Sequence, residues 1–352
     1  MLMKAIKFKD KLLKKPIIQG GMGIGVSRSR LAGAVAKEGG MGVISTAQIG
    51  YDEPDFARRP EEANLRALPQ QIKKAKELSG GNGMVAVNIM AVTQLYETYV
   101  RTACEAGVDA IISGAGLPTN LPEYARGYDV ALAPIVSSKK SANVILKYWD
   151  KKYNRTADFL VIEGPMAGGH LGFSNEQLED IEALNYDEEV RNIIELKKTY
   201  EEKYQVVIPV FLAGGMFTGE DAAHALSLGA DGIQAATRFV ATEECDASDA
   251  YKHAYINAAK EDVVIIKSPV GMPGRAVRNA FIDEITANPG KVTYCFNCLK
   301  ACNPATAPYC ITQALINAVN GDLDHGLIFC GSRVGEIDRI STVADVMKDL
   351  TV

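Results

Sequence analysis

His170 stands among glycines in the run Glu163-Gly164-Pro165-Met166-Ala167-Gly168-Gly169-His170-Leu171-Gly172. An imidazole titrates near neutrality, so a histidine without bulky neighbours suits general acid–base work or the holding of an anionic substrate. Two later runs, Leu212-Ala213-Gly214-Gly215-Met216 and Gln234-Ala235-Ala236-Thr237-Arg238-Phe239, place small residues where a strand gives way to a helix. There the backbone N–H groups of Gly214, Gly215, Ala236 and Thr237 can surround a phosphate dianion, with the Thr237 hydroxyl as a further donor. The run Gln19-Gly20-Gly21-Met22-Gly23-Ile24-Gly25 offers bare backbone to a flat ligand. It is not a dinucleotide fingerprint. From Gly21 that pattern needs a glycine where Val26 stands, and the next strand ends in Ser45-Thr46 without an acid for a ribose. His224, His253 and His325 lack comparable surroundings and read as structural.

Four of the seven cysteines fall within sixteen residues, as Cys295, Cys298, Cys302 and Cys310, spaced C-x2-C-x3-C-x7-C. Such clustering suits an Fe–S cluster or zinc. The spacing matches neither standard ferredoxin run, and no histidine nearby offers a zinc ligand. Packed or redox-inert thiols are the favoured reading, with an Fe–S cluster second. Cys104, Cys245 and Cys330 read as isolated core or surface residues.

The elements that must position these loops alternate regularly. Continuously apolar strands are expected at Pro16–Gln19, Val43–Thr46, Met84–Ile89, Ala110–Ser113, Ala131–Val136, Phe159–Ile162, Ile208–Leu212 and Gly232–Ala236, a pattern of parallel strands buried on both faces. Helix signals fill the gaps. Ser27 reads as the cap of a helix ending at Gly39-Gly40, Ser138 opens another over Ala142–Lys151, and Thr218 with Asp221 makes a capping box. Eight strands, each followed by a helix, predict an α/β fold, a (β/α)8 TIM barrel; an open doubly wound sheet is the competitor. A domain is expected over 1–287, with a helical insertion at about 174–205 after the sixth strand. That insertion is either a lid or an enlarged crossover. Residues 288–352 are expected as a helical, cysteine-bearing C-terminal extension packed on the barrel.

The 352 residues are 47% apolar and 23% charged, which excludes a chain disordered throughout. With 38 basic against 43 acidic residues and a net charge of −5, no global footprint for nucleic acid is present. No apolar run nears the roughly 20 residues that cross a bilayer, and the basic start MLMKAIKFKDKLLKK has no apolar core of a secretory signal. A cytoplasmic protein without membrane partners is expected.

Taken in order, Pro16–Met22 (PIIQGGM), Val85–Met90 (VAVNIM), Glu163–Gly172 with its AGGHLG segment, Ala213–Met216 (AGGM) and Gly229–Phe239 (GADGIQAATRF) resemble the nitronate monooxygenase (2-nitropropane dioxygenase) family. That family also includes the flavin-dependent enoyl-ACP reductase II. The resemblance spans about residues 16–240 and implies a TIM barrel holding FMN tightly but noncovalently. It places Gly21 and Met22 against the isoalloxazine, with Asn88 hydrogen-bonding the ring and Gly168 packed beside it. Glu163 falls where monooxygenase members often carry Gln and reductase members Glu. Gly214 and Gly215 with Gln234, Ala235, Ala236 and Thr237 would hold the phosphate, and His170 matches the family's active-site histidine. Two positions depart from the pattern: Met166 stands where Glu is usual, and Ala236 where Gly is usual.

The activity implied is oxidation of alkyl nitronates, or of nitroalkanes if His170 abstracts a Cα proton, by O2 to carbonyl compounds and nitrite. The alternative is an NAD(P)H-dependent enoyl-thioester reductase, with quinone reduction as a further option. A flavin-binding sensor is the non-enzymatic alternative, and the exposed His170 argues against it. Related flavin barrels suggest a homodimer.

Overall fold

The computed structural model describes residues 2–352. Its centre is a closed barrel of eight parallel strands: Ile17–Gln19, Met41–Ser45, Met84–Met90, Ala110–Gly114, Ala131–Val136, Leu160–Glu163, Val210–Ala213 and Gly232–Ala235. Each pairs with its neighbour in sequence, and the eighth closes on the first through Ile233–Ile17, Gln234–Ile18 and Ala235–Gln19. The expected (β/α)8 architecture is the one observed.

Alternation along each strand sorts the side chains. Ile18, Met41, Val43, Met84, Phe159, Val161 and Phe211 fill the barrel interior together with Ala86, Ala110, Ala131 and Ala133. Large and small residues facing one another let the layers interdigitate without voids. The intervening residues, Ile17, Ile44, Val85, Val87, Ile111, Leu132, Ile162 and Val210 among them, face the outer helices in a second core. The barrel floor is closed by a hairpin, Ile6–Phe8 with Lys11–Leu13. Its Phe8 ring meets Phe159 at 5.1 Å and Phe211 at 6.4 Å between centroids. Ligands therefore enter from the other, C-terminal end, where the chemistry-bearing loops lie.

Local capping follows the sequence in two places and departs from it in a third. Ser138 caps the helix Lys139–Tyr153, and Thr218 with Asp221 forms the capping box of Gly219–Ser227. Ser27, in contrast, does not cap the helix Ser29–Lys37. Its hydroxyl turns back to accept the Met22 N–H at 2.7 Å. The cap is instead the remote Asp246, whose carboxylate accepts the N–H groups of Arg28 (2.8 Å), Arg30 (3.3 Å) and Leu31 (3.1 Å). A carboxylate satisfies these orphan donors better than a hydroxyl already committed to the loop.

The 174–205 segment resolves into a short helix, Asn175–Glu179, a 3-10 turn and a long helix, Tyr186–Tyr204. The long helix buries Val190, Ile193 and Tyr200 in the outer core, so it is the barrel's sixth crossover helix and not a lid. Its first residue is pinned from inside: the Tyr186 hydroxyl lies 2.9 Å from the Glu163 carbonyl and 3.0 Å from that of Ser137.

Beyond the eighth strand the chain forms a small antiparallel sheet absent from the sequence expectation. Val263–Lys267 pairs with Pro273–Val277, which in turn pairs with Gly169–His170. The final helix, Val343–Asp349, packs Val343, Val346 and Met347 into the outer core. No helix among the described residues is long and apolar enough to cross a membrane.

Candidate functional site

A single cavity enclosing about 280 Å³ opens at the C-terminal end of the barrel. Its lining includes Gly21, Met22, Asn88, Glu163, Gly168, His170, Gly214, Gly215, Gln234, Ala235, Ala236 and Thr237. The fold thus gathers at one place every residue assigned from the sequence to the catalytic and cofactor site. His224 and His325 lie elsewhere and face Asp187 and Asp322.

One wall is a backbone floor. Ser27 holds the loop after the first strand by its two links to Met22, and Gln19, fully buried, accepts the Val43 N–H at 3.1 Å. A Cβ on Gly21 would come 2.5 Å from the Cβ of Asn88, so glycine is required for this close approach. The result is a flat surface with the Asn88 amide at its edge.

A ring of donors stands at the ends of the seventh and eighth strands, the eighth being paired with the first. Gly214 and Gly215 have φ of +92° and +83°, which turns the chain after the seventh strand. Among the described residues, the N–H groups of Gly214, Gly215, Met216, Ala236 and Thr237 donate to no acceptor of the chain. The Thr237 hydroxyl accepts the Gly331 N–H at 3.2 Å. Asp221 secures the turn by accepting Phe217 N–H (2.9 Å) and Thr218 N–H (2.7 Å), and it binds Arg333 at 2.6 Å. Arg333 also reaches the Gly215 carbonyl at 3.2 Å and lies over the Phe217 ring, 4.8 Å from its centroid. Its other edge is held by Glu336, with Nε and Nη2 each donating at 2.6 Å, so the cation is shared between two carboxylates and braces the turn. The free backbone donors suit an anion.

His170 and Glu163 lie between floor and ring. His170 Nε2 is 2.8 Å from Ser268 Oγ, and its ring meets Phe329 edge-on at 5.0 Å. The Ser268 oxygen also accepts the Val270 N–H at 3.3 Å. Burial lowers the His170 pKa to about 4, so the imidazole is neutral at physiological pH. Glu163, at the end of the sixth strand, is pushed up to about 7 by burial. Its carboxyl is thus protonated more readily than an exposed glutamate.

Arg275, Ser268, Phe329, Cys330 and Arg333 belong to the site or its support and escaped the sequence reading. Arg275 is 3% exposed and donates to the Ala167 carbonyl, which fixes the glycine run before His170. Cys330 is not isolated: its backbone lies where a Cβ on Gly168 would come within 2.6 Å. These residues all follow the last barrel strand, Arg275 in the strand Pro273–Val277 and the others in irregular segments, where no loop signature marks them.

The clustered cysteines form no metal centre among the described residues, since no group of three His, Cys, Asp or Glu is placed to hold an ion. Cys298 lines the cavity, and burial pushes its thiol up to about 11. Burial likewise raises Cys302 and Cys310.

Residues 6–352 match the family model described as nitronate monooxygenase. A protein of Staphylococcus aureus (strain Newman) named "Probable nitronate monooxygenase" is 27% identical over 299 residues, 80% of each chain. The (3aS,4S,5R,7aS)-5-hydroxy-7a-methyl-1-oxo-octahydro-1H-indene-4-carboxyl-CoA dehydrogenase of Mycobacterium tuberculosis is 26% identical over 283 residues, 78% of this chain and 66% of that one. Among solved structures, FabK from Thermotoga maritima superposes with a TM-score of 0.72 at 26% identity, covering 96% of this chain and 92% of its own.

Proposed function

We propose that this chain, which belongs to the nitronate monooxygenase family of oxidoreductases, binds FMN noncovalently and oxidises alkyl nitronates with O2 to carbonyl compounds and nitrite. The observation that carries this reading is the pairing of two unlike surfaces in one cavity. A side-chain-free floor at Gly21 and Met22 beside Asn88 fits a flat ring system. Five free N–H groups fit a terminal phosphate. Gly168 and Gln234 to Thr237 line the space between. FMN, when bound, supplies the redox chemistry.

The chain's own residues bind and orient the substrate. Neutral His170, held through Nε2 by Ser268, presents Nδ1–H to the nitronate oxygens. Entry of an anion favours the protonated form of any nearby titratable group, so it draws a proton toward both Glu163 and His170. Protonated Glu163 then donates a hydrogen bond and does not repel the substrate. We read the enzyme as cytoplasmic and homodimeric.

A second reading, an NAD(P)H-dependent enoyl-thioester reductase, is favoured by Glu163 itself, where the resemblance assigns Gln to many monooxygenases. Propane-2-nitronate supplied aerobically decides between them. The leading reading expects O2 uptake with nitrite release. Steady NAD(P)H oxidation that needs an enoyl thioester, without nitrite from nitronate, would replace it.

A further inference from the structure

The cavity does not end at the floor and the donor ring. On the side away from Arg333 it is roofed by the cysteine-bearing segment and the helix Ile311–Val319. The roof is clamped to the loops after the second and third strands. Phe296 stacks on Phe56 at 5.4 Å, Asn297 donates to Glu61 at 3.1 Å, and backbone bonds join Gln94 N–H to Cys298 (3.2 Å) and Lys300 N–H to Val92 (3.0 Å). Ile311 and Leu315, four apart, share one helix face and both line the cavity. Ile311 belongs to one buried cluster with Leu299, Tyr309, Ala314 and Leu327, and Leu315 packs against it, which makes the roof a packed wall.

We propose that this roof forms a second subsite that takes an unbranched aliphatic chain attached to the reacting carbon, and that Leu315 sets the length of chain admitted. The inference rests on the flavin reading above for where the reacting carbon lies. Met90, Leu95, Phe296, Leu299, Ile311 and Leu315 supply the apolar lining. The polar groups on this side, including Thr93, Gln94, Tyr99, Cys298 and Thr312, are uncharged. Glu61 is the one charge here among the described lining residues, and it is committed to Asn297. A neutral alkyl tail is matched by such a wall; a carboxylate or phosphate at the tail end meets no cation.

The test uses the FMN-loaded protein and straight-chain carboxylates from acetate to decanoate, planar anions that mimic a nitronate head and undergo no redox reaction. Binding is read from perturbation of the flavin visible band. Affinity should rise about fourfold per methylene, the equivalent of ~0.8 kcal/mol, and then stop at a limiting length. Leu315→Ala should move that limit to longer chains and Leu315→Trp to shorter ones, with FMN affinity unchanged in both. If Leu315→Trp does not fold, the Leu315→Ala shift carries the test. Affinity independent of chain length, no perturbation at any length, or a limit unmoved by Leu315→Ala would overturn the subsite. Because no turnover is involved, failure of nitronates to react would overturn the proposed reaction and leave this result standing.

Discussion

The Cβ that Gly21 lacks would lie 2.5 Å from the Cβ of Asn88, so the loop after the first strand lies directly against Asn88 of the third at the cavity floor. Real Cβ atoms do not approach so closely. Gly21→Ala must therefore displace Asn88 or the Met22 loop, both proposed to lie against the flavin ring. We expect FMN affinity to fall at least tenfold, by flavin fluorescence titration, while far-UV circular dichroism is retained. Wild-type affinity in Gly21→Ala would remove the floor from the ring site.

The His170–Ser268 contact of 2.8 Å makes a graded prediction. His170→Ala should keep the flavin and lose about 100-fold or more in turnover, the usual worth of a positioned acid–base group. Ser268→Ala removes the hydrogen bond that orients the ring, together with the one from Val270 N–H, so a loss of about tenfold is expected, in line with ~1 kcal/mol for the hydrogen bond to the ring. Equal losses, or unchanged kinetics in His170→Ala, would contradict these roles.

Glu163 sets a pH dependence. Its pKa is raised to about 7, so below that value the carboxyl is neutral, and above it a negative charge builds beside the proposed nitronate site. For an anionic substrate kcat/KM should fall as pH rises through about 7, and Glu163→Gln should abolish that fall. His170, lowered to about 4, adds no transition between pH 5 and 9 in the free enzyme. A descending limb that persists in Glu163→Gln would assign it to another group.

Asp246 provides a stability test away from the cavity. It caps the helix Ser29–Lys37 through three backbone N–H groups, so Asp246→Ala leaves partly buried donors unsatisfied. A loss of about 1–3 kcal/mol is expected from the urea midpoint. Ser27→Ala should instead weaken FMN binding, because Ser27 holds the Met22 loop. Reversed outcomes would restore Ser27 as the cap.

The barrel was legible because its strands are continuous apolar runs and its helices carry explicit caps, as at Ser138 and Thr218. The glycine loops were legible for a related reason: small residues at strand ends have few uses other than turning the chain or letting a ligand approach. What could not be read were long-range partners. Asp246 takes the capping role that proximity suggested for Ser27, and Arg333 reaches Gly215 across a sequence separation of 118. Arg275 pairs with Gly169, and Phe329 bridges to Ala276 beside it, only once the barrel is closed. Nor does local sequence distinguish the helix Tyr186–Tyr204 as crossover from lid, since its acidic composition hides the buried positions Val190 and Ile193. The cysteine spacing drew attention to a metal; in the fold the same segment forms a cavity roof.

The central claim is an FMN site whose electrons come from a nitronate. The direct measurement is the visible spectrum of the purified, flavin-loaded protein under anaerobic conditions, with propane-2-nitronate added to one sample and NADH to another. The account predicts loss of the oxidised flavin band with nitronate and little change with NADH. Rapid bleaching by NADH with no response to nitronate would contradict it and assign the cavity to the reductase reaction.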